Sequence, residues 1–352
     1  MCLNNKQCAG MVLAGVALIT WGSIGLYHNA KFGFSGGLYT PDFTVPASSP
    51  ASEAAKAGLL PGDRVVSVEG IPVEKLGMES RWPRSLSPKV GESRRFLVER
   101  KQARVLVNVT YPAAPPSALS MRYAPAIAGL AFLVLGVWTF LTMRTRAAQA
   151  LAYIGLSAGA TASLGVGPSL GSWNGVSRNL STAFMVLLAA LLLRFFLAFP
   201  EPKRLYHHRL ATWAIYGAWG AFLVFLAMEL AVHPALYDAT GSVAFPLFLA
   251  YGILALVGVG HTLATAPREL LRESGMYLIT GGIVATILVI VVAVVSTLNL
   301  PGWAYGLAIV PIPLAMAMAV RKQASFAGRA KLPSPATSDR KTLCAGERFC
   351  GW

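Results

Sequence analysis

Two side chains of this 352-residue sequence, Glu229 and His233, are the clearest candidates for proton transfer or ligand binding. They lie four positions apart at one end of an apolar stretch. On a helix this spacing places both groups on one face, where a carboxylate and an imidazole can form a pH-sensitive or ligand-binding pair. The alternative is that each group reaches the lipid headgroups independently. Arg194, six residues before Pro200, is expected to extend to the membrane surface in that manner.

No recognisable catalytic motif accompanies these groups. A zinc-protease helix needs His-Glu-x-x-His, but His261 is followed by Thr-Leu-Ala-Thr, and His207 and His208 fall in a loop. We identify no nucleophile elbow of a serine hydrolase and no Gly-rich loop that would cradle a nucleotide phosphate. The sequence therefore predicts no enzymatic activity, no cofactor and no metal site.

The composition places these side chains in a membrane protein. The chain is 55% hydrophobic and 13% charged, with a mean hydropathy of +0.56, whereas soluble domains are about 25% charged. Its net charge of +15 comes from basic residues in short loops and in the C-terminal tail, where they orient membrane helices, so nucleic-acid binding is not expected. The four cysteines lie near the termini and are expected to be reduced thiols: Cys2, Cys8, Cys344 and Cys350.

Apolar stretches long enough to span a bilayer recur along the chain. A transmembrane helix needs about 20 mostly apolar residues. Eight stretches approach that length: 9–27, 124–143, 148–168, 180–199, 210–232, 243–264, 276–298 and 303–320. The third is rich in Gly, Ala and Ser and is the least hydrophobic, so it suits packing against neighbouring helices better than contact with lipid.

Charges in the connecting loops predict the orientation of these helices. Lys and Arg follow the second, fourth, sixth and eighth stretches, whereas the alternate short loops contain only Arg178. By the positive-inside rule both termini are cytoplasmic, including residues 1–8, and the segment 28–123 is external. The first stretch is expected to remain as an anchor, the alternative being a cleaved signal peptide. Residues 124–320 are expected to form a bundle of about seven helices, and 321–352 a basic, disordered cytoplasmic tail.

The external segment changes from apolar runs to the alternation typical of β-strands. RVVSVEG, 64–70, is expected to place Val66 and Val68 on one face and to turn at Gly70. RRFLVER and ARVLVNVTY are two further strands, and only Lys101 and Gln102 separate them, which predicts a hairpin.

A short helix and a tight turn precede the first strand. ASEAAKAGL, 51–59, has Ser52 to cap its start and Gly58 to end it with a positive φ. PGD, 61–63, is a turn signal in which the proline fixes φ and the glycine supplies the conformation that other residues avoid. Together these elements predict a small α+β domain that is rich in β structure.

The order of these elements resembles the central motif of bacterial PDZ domains. SSPASEAAKAGLLPGDRVVSVEGIPV, 48–73, has the same succession of small-residue helix, Ala-Gly-Leu, Pro-Gly-Asp turn and strand. The chain departs from the family in having Glu69 where Asn is usual, and the resemblance extends over about 34–113. The matching residues are Ala57, Gly58, Leu59, Pro61, Gly62, Asp63 and Gly70.

This resemblance implies peptide binding. PDZ domains add an extended peptide, usually a C-terminal one, beside a sheet edge, and the backbone N–H groups of a Gly-containing loop receive its carboxylate. Glycines leave such N–H groups unobstructed. The alternative for the candidate loop is a flexible linker. The loop consists of Gly36, Gly37, Leu38 and Tyr39.

A second resemblance concerns the membrane half. LLLRFFLAFPEPKRL, 191–205, looks like the Phe-Phe-x-x-Phe-Pro-x-Pro signature of some bacterial multi-span sensor proteins. One span, an external PDZ-like domain and about seven further spans resemble the input half of bacterial peptide-pheromone receptor kinases. The chain departs from these kinases after Gly328, because no phosphorylatable His and no nucleotide-binding box follow.

The combined expectation is an α-helical polytopic membrane protein of about eight transmembrane helices with one small extracytoplasmic PDZ-like domain, in the bacterial cytoplasmic membrane. The external domain would bind a peptide or a protein C-terminus and bias the packing of the helices, with output passing to a cytoplasmic or membrane partner. The chain could equally be a complete protein or the truncated input half of a sensor. A scaffold that recruits envelope proteins is the alternative function, and a transporter is less favoured.

Overall fold

The computed structural model of the protein describes most of the helical half and the centre of the β-rich segment. The described residues are 5–29, 31, 44–45, 58–73, 89–111, 113, 116–143, 145–166, 173–199, 206, 208–232, 237–265, 275–281, 284, 287 and 303–330. Helices dominate this part of the chain, and one small antiparallel sheet lies between the first helix and the second.

The bounds of the helices are α1 Asn5–Asn29, α2 Pro116–Met143, α3 Arg146–Gly165, α4 Trp173–Ala198, α5 Arg209–Val232, α6 Tyr237–Thr265, α7 Trp303–Ile309 and α8 Pro311–Ala330. From α2 to α6 the helices follow one another with short connections, whereas the sheet separates α1 from α2 and a longer segment separates α6 from α7. By length and composition, six stretches of this helical structure are able to cross a membrane. They are Lys6–Tyr27, Tyr123–Met143, Asn179–Ala198, Arg209–Met228, Val243–Thr262 and Gly306–Ala324. The chain is therefore a multi-pass membrane protein.

Six of the eight expected spans coincide with these stretches to within a few residues. The expected span 148–168 is also helical, as α3, but it is not among the six. The expected span 276–298 is helical over 276–281, and most of it lies outside the described residues. A count of eight thus stays a prediction.

The weak hydropathy of α3 follows from its place in the bundle. It packs against α1, α2, α4 and α8, so much of its surface contacts protein. Three hydroxyls join it to α4: Ser157 Oγ donates to the Phe184 carbonyl at 2.8 Å, Ser177 Oγ to the Leu164 carbonyl at 2.7 Å, and Ser181 Oγ to the Thr161 carbonyl at 2.6 Å. Small and hydroxylated residues are common where membrane helices approach closely.

The bundle contains two apolar cores. The first joins α1, α2, α3, α4 and α8, and its largest buried side chains are Phe140, Phe195, Leu151, Ile154 and Met316. The second joins α4, α5 and α6 around Phe222 and Val186. Helix α4 contributes to both cores and therefore links the two groups of helices.

The last helix corrects one expectation. Residues 321–330 were expected to belong to a disordered tail, but they continue α8 to Ala330. Arg321, Lys322 and Gln323 are good helix formers, so a helix that starts in the apolar stretch can extend through them. The Arg321 guanidinium lies 5.0 Å from the centre of the Trp138 ring on α2, which ties this extension to the bundle.

The sheet has four strands in the order β2-β1-β3-β4, and every neighbouring pair is antiparallel. The strands are β1 Arg64–Val68, β2 Ile71–Pro72, β3 Ser93–Arg100 and β4 Ala103–Thr110. The strands predicted from 64–70 and from the hairpin around Lys101 and Gln102 are confirmed. A core beside the sheet contains Val45, Leu59, Val65, Val68, Val73, Phe96, Val98, Val107, Val109 and Tyr111.

The prediction of which β1 side chains share a face of the sheet is wrong at one position. Val66 and Val68 were expected on one face, but Val65 and Val68 both belong to the core and Val66 is only half-buried. The register of β1 against β3 shifts between Val65 and Ser67. Such a bulge inserts one extra residue and reverses the alternation of side chains beyond it.

Both two-residue hairpin loops have the left-handed backbone of a type I′ turn. Glu69 and Gly70 have φ of +52° and +78° between the paired Val68 and Ile71. Lys101 and Gln102 have φ of +48° and +67° between β3 and β4. Type I′ turns favour Asn-Gly, because most L side chains are strained at positive φ.

Replacing the second loop by Asn-Gly is therefore expected to stabilise the sheet. In the double variant Lys101→Asn/Gln102→Gly we expect a gain of about 1 kcal/mol, because two strained residues are replaced by residues that adopt this conformation readily. Hydrogen–deuterium exchange of the β3 and β4 amides in the full-length protein in nanodiscs measures the change as slower exchange.

The matched control is Glu69→Asn in the first loop. The Glu69 carboxylate accepts a hydrogen bond from the Arg95 backbone N–H at 2.6 Å, and the shorter Asn loses it. We expect this loss to cancel the backbone gain, so the control should leave exchange nearly unchanged. Faster exchange in the Lys101→Asn/Gln102→Gly variant would contradict the type I′ interpretation.

Candidate functional site

An ion pair between a buried carboxylate and a partly exposed guanidinium anchors the Pro61-Gly62-Asp63 turn to the sheet. Asp63 is 2% exposed and accepts hydrogen bonds from Arg100 Nε at 2.9 Å and from Arg100 Nη2 at 2.7 Å. It also accepts the Leu60 backbone N–H at 2.8 Å. Two parallel bonds between a guanidinium and a carboxylate are among the strongest polar contacts in proteins, and they fix the geometry as well as the distance.

The same arginine secures the residues before the turn. Arg100 Nη2 donates to the Gly58 carbonyl at 2.7 Å, so one side chain at the end of β3 holds both ends of the segment 58–63. Gly58 and Gly62 have φ of +88° and +86°, as the sequence predicted. Leu59 lies between them and is fully buried in the sheet core. The motif therefore forms a rigid corner of the domain.

The charges of this pair reinforce each other. Hydrogen bonding from Arg100 lowers the pKa of Asp63, and burial only partly opposes that effect. The bonds from Arg100 to Asp63 in turn raise the pKa of the Arg100 guanidinium. A carboxyl group with a lowered pKa in the folded state stabilises the fold above its unfolded pKa, and this stabilisation is lost as the pH falls through the folded value.

The turn also forms backbone hydrogen bonds with residues 44–45, which follow the candidate peptide loop in the sequence. Val45 N–H donates to the Asp63 carbonyl at 2.8 Å, and Gly62 N–H donates to the Val45 carbonyl at 2.9 Å. Thr44 forms a β-bridge with Arg64. Residues 44–45 therefore lie beside the start of β1, on the side of β1 opposite to β3.

A second ion pair lies at the start of β3. Arg94 points to the core side of the strand and is 9% exposed, and its Nη2 lies 2.7 Å from Glu92 Oε1. The Lys89 backbone N–H donates to Glu92 Oε2 at 2.9 Å and lowers the pKa of Glu92. Arg94 Nε is buried and has no hydrogen-bond partner among the described residues.

The sheet domain is joined directly to the membrane helices. Val90 N–H, next to β3, donates to the Lys31 carbonyl at the end of α1 at 3.4 Å. Further along α1, Gly22 packs on α3 so closely that an added Cβ would lie 3.3 Å from Ser163 Cβ. The chain at and just after α1 therefore contacts both the sheet domain and α3.

Several predicted site residues lie outside the part of the chain that the structure describes. These are the candidate loop Gly36, Gly37, Leu38 and Tyr39, the motif residue Ala57, and His233. Glu229 belongs to α5, but its side chain is also outside the described part. The candidate loop and the Glu229–His233 pair stay predictions, whereas Gly58, Leu59, Pro61, Gly62, Asp63 and Gly70 all lie at the corner and turn of the sheet domain.

Sequence reasoning overlooked one catalytic pattern. Gly-x-Ser-x-Gly occurs at 155–159 and again at 167–171. The first copy is not a nucleophile elbow, because it lies within α3 and its Ser157 is buried and donates to a backbone carbonyl. An elbow requires a sharp turn from strand to helix that exposes the hydroxyl. The second copy lies outside the described residues.

No protein-family model, curated protein or solved structure matches the chain. Within the described residues, no group of three or more His, Cys, Asp and Glu side chains is placed to hold a metal ion. The function proposed for the protein consequently rests on the sheet domain and on its connection to the helices.

Proposed function

We propose that the sheet belongs to an extracytoplasmic PDZ-like domain that binds an extended peptide or a protein C-terminus. In this proposal the protein is a membrane sensor or receptor-like protein of the bacterial cytoplasmic membrane, with about eight spans and both termini in the cytoplasm. Peptide binding biases the packing of the helices, and a cytoplasmic or membrane partner carries the output. The protein itself performs no catalysis.

The observation that carries this proposal is the position of the sheet. It is inserted between two membrane helices, α1 and α2, and the Val90–Lys31 hydrogen bond attaches it to the end of α1. The corner formed by Asp63 and Arg100 keeps the Pro-Gly-Asp turn in place. A domain that contacts the chain just after α1 can bias the helices if its bound and free states place that contact differently.

Peptide binding is tested on the full-length protein in nanodiscs. We expect some members of a library of fluorescent peptides with free C-termini to bind, and C-terminal amidation to weaken their binding at least tenfold, because it removes the charge that the loop N–H groups receive. The variant Gly36→Pro/Gly37→Pro removes two of those N–H groups and should weaken binding similarly. Equal binding of amidated and free peptides would contradict the carboxylate site.

Coupling to the helices is tested with a cysteine pair. In a background with Cys2, Cys8, Cys344 and Cys350 replaced by Ser, Gly22→Cys and Ser163→Cys should form a disulfide, since an added Cβ at Gly22 lies 3.3 Å from Ser163 Cβ. We expect saturating peptide to change the rate of disulfide formation at least threefold, because α1 moves relative to α3.

The control pair is Gly258→Cys/Phe196→Cys, which joins α6 to α4. An added Cβ at Gly258 lies 3.9 Å from Phe196 Cβ, a similar spacing at a contact that does not involve α1. This pair measures any general effect of the peptide on thiol chemistry. If the peptide binds and both rates stay unchanged, the coupling proposal is wrong and the protein is a static scaffold.

A further inference from the structure

A cation without an acidic partner among the described residues lies within the fourth helix of the bundle. Arg194 belongs to the apolar stretch Asn179–Ala198 and is half-buried. Its Nη1 donates to Thr212 Oγ1 on α5 at 2.8 Å. Its guanidinium carbon lies 4.8 Å from the centre of the Tyr206 ring and 5.5 Å from the centre of the Tyr216 ring. The cation therefore occupies an aromatic-lined position where α4 meets α5, not the open membrane surface that its sequence position suggested.

The three side chains that hold the Arg194 guanidinium, Thr212, Tyr206 and Tyr216, are all neutral. A guanidinium has five N–H donors, and one of them is engaged by Thr212 in this part of the chain. All the acidic side chains that the structure describes belong to the sheet domain: Asp63, Glu69, Glu92 and Glu99. Charged groups inside membrane segments are costly and are normally paired, yet no described side chain supplies a counter-anion for Arg194.

The depth of Arg194 suits an anion from the membrane surface. It stands four residues before the end of α4 at Ala198, about 6 Å along the helix axis. An arginine side chain spans that distance, so its guanidinium is within reach of the headgroup layer. The rings of Tyr206 and Tyr216 lie close to the guanidinium, and ring contacts of this kind do not use its N–H donors, which bind phosphate oxygens in pairs.

The same end of the bundle carries other basic side chains. Arg146 begins α3, Arg209 begins α5, and Arg321 stacks on Trp138 near the end of α2. Because neighbouring helices alternate in direction, these positions share one end with Arg194. Clustered Lys and Arg at a membrane surface attract anionic headgroups, and pockets between helices bind them specifically.

We propose that Arg194, with Thr212, Tyr206 and Tyr216, forms a binding site for a phosphate-type oxyanion at this end of the bundle. The phosphodiester of an anionic lipid headgroup and a free phosphate share the required chemistry. The site is separate from the sheet domain and does not depend on peptide binding.

The test measures binding of phosphatidylglycerol to the full-length protein by native mass spectrometry, with phosphatidylcholine as the zwitterionic reference. We expect Arg194→Leu to raise the Kd for phosphatidylglycerol about tenfold or more, because charged hydrogen bonds are lost. Arg194→Lys should raise it less, since the charge remains and the planar fork is lost. Binding of phosphatidylcholine should change less than twofold in both variants.

The matched control is Arg209→Leu, which removes the same charge from the same end of the bundle at an exposed position. An equal loss of affinity in Arg194→Leu and Arg209→Leu would overturn the proposal and indicate diffuse attraction to the surface. Arg194→Gln serves as a second neutral variant if Arg194→Leu does not fold, and unchanged affinity in either folded variant also overturns the site. Competition by inorganic phosphate would support the site with a free anion as its ligand, whereas resistance to it would support the lipid headgroup.

Discussion

Replacing Asp63 by Ala is expected to destabilise the sheet domain by about 2 kcal/mol, because the turn loses its buried carboxylate acceptor, whereas the partly exposed Arg100 can bind water instead. The Asp63 carboxylate accepts three hydrogen bonds, two from Arg100 and one from the Leu60 N–H. Each of these donors loses its acceptor. In the full-length protein in nanodiscs, hydrogen–deuterium exchange of the β3 and β4 amides should become correspondingly faster.

The matched control for this variant is Glu99→Ala. Glu99 precedes Arg100 on β3 and carries the same charge as Asp63, but it is exposed. Removing an exposed carboxylate usually changes stability by less than about 0.5 kcal/mol. If Asp63→Ala and Glu99→Ala change the exchange rates equally, the pair does not anchor the turn.

Acid provides a second control on the same pair. The pKa of Asp63 is lowered in the folded protein, so its contribution is complete above the unfolded value of about 3.9 and disappears as the pH falls through the folded value. In Asp63→Asn no carboxyl group remains to titrate at this position. The wild-type sheet should therefore lose stability relative to Asp63→Asn as the pH is lowered below 4.

The strands and turns of this domain could be predicted because their signals are local. Alternating side chains, the Pro-Gly-Asp sequence and a two-residue gap between strands each act over a few neighbours. The partner of Asp63 could not be predicted in this way, since Arg100 is 37 positions away and meets it only when β1 pairs with β3. The bulge beside Val66 was also missed, because it arises from the pairing of two strands and leaves no mark in one.

In the membrane half, too, local features could be predicted from the sequence and tertiary contacts could not. Hydropathy predicted the six helical stretches that are long and apolar enough to cross a membrane. Hydropathy could not decide whether α3 spans the membrane. A helix surrounded by other helices can carry small and polar residues, because its polar groups form hydrogen bonds with protein. The surroundings of Arg194 depend on the return of the chain through Tyr206 to Thr212 and Tyr216, a tertiary contact that no spacing rule indicates.

The second large expected effect is a loss of bundle stability when the close packing of α2 against α3 is disturbed. Replacing Gly136 by Ala is expected to destabilise the bundle by about 2–3 kcal/mol, because its new Cβ would lie 2.6 Å from the Leu151 carbonyl oxygen. The obstacle is backbone, so it cannot rotate away, and the two helices must separate. Gly155 on α3 makes the reciprocal contact with the Phe132 carbonyl oxygen on α2. Unfolding of the purified protein by SDS in mixed micelles, followed by circular dichroism, measures the loss.

The informative comparison is with Gly217→Ala on α5, where an added Cβ meets nothing within 4 Å. There the substitution only improves helix propensity, and it should be neutral or stabilise by up to about 1 kcal/mol. Identical chemistry in two membrane helices should thus change stability in opposite directions. If both variants are equally stable, the α2–α3 contact is looser than the structure indicates. If Gly136→Ala alone is destabilised, the backbones of α2 and α3 approach as closely as the structure shows. Such an approach requires small residues on both helices, and Gly155 on α3 is one of them, which accounts for the weak hydropathy of α3.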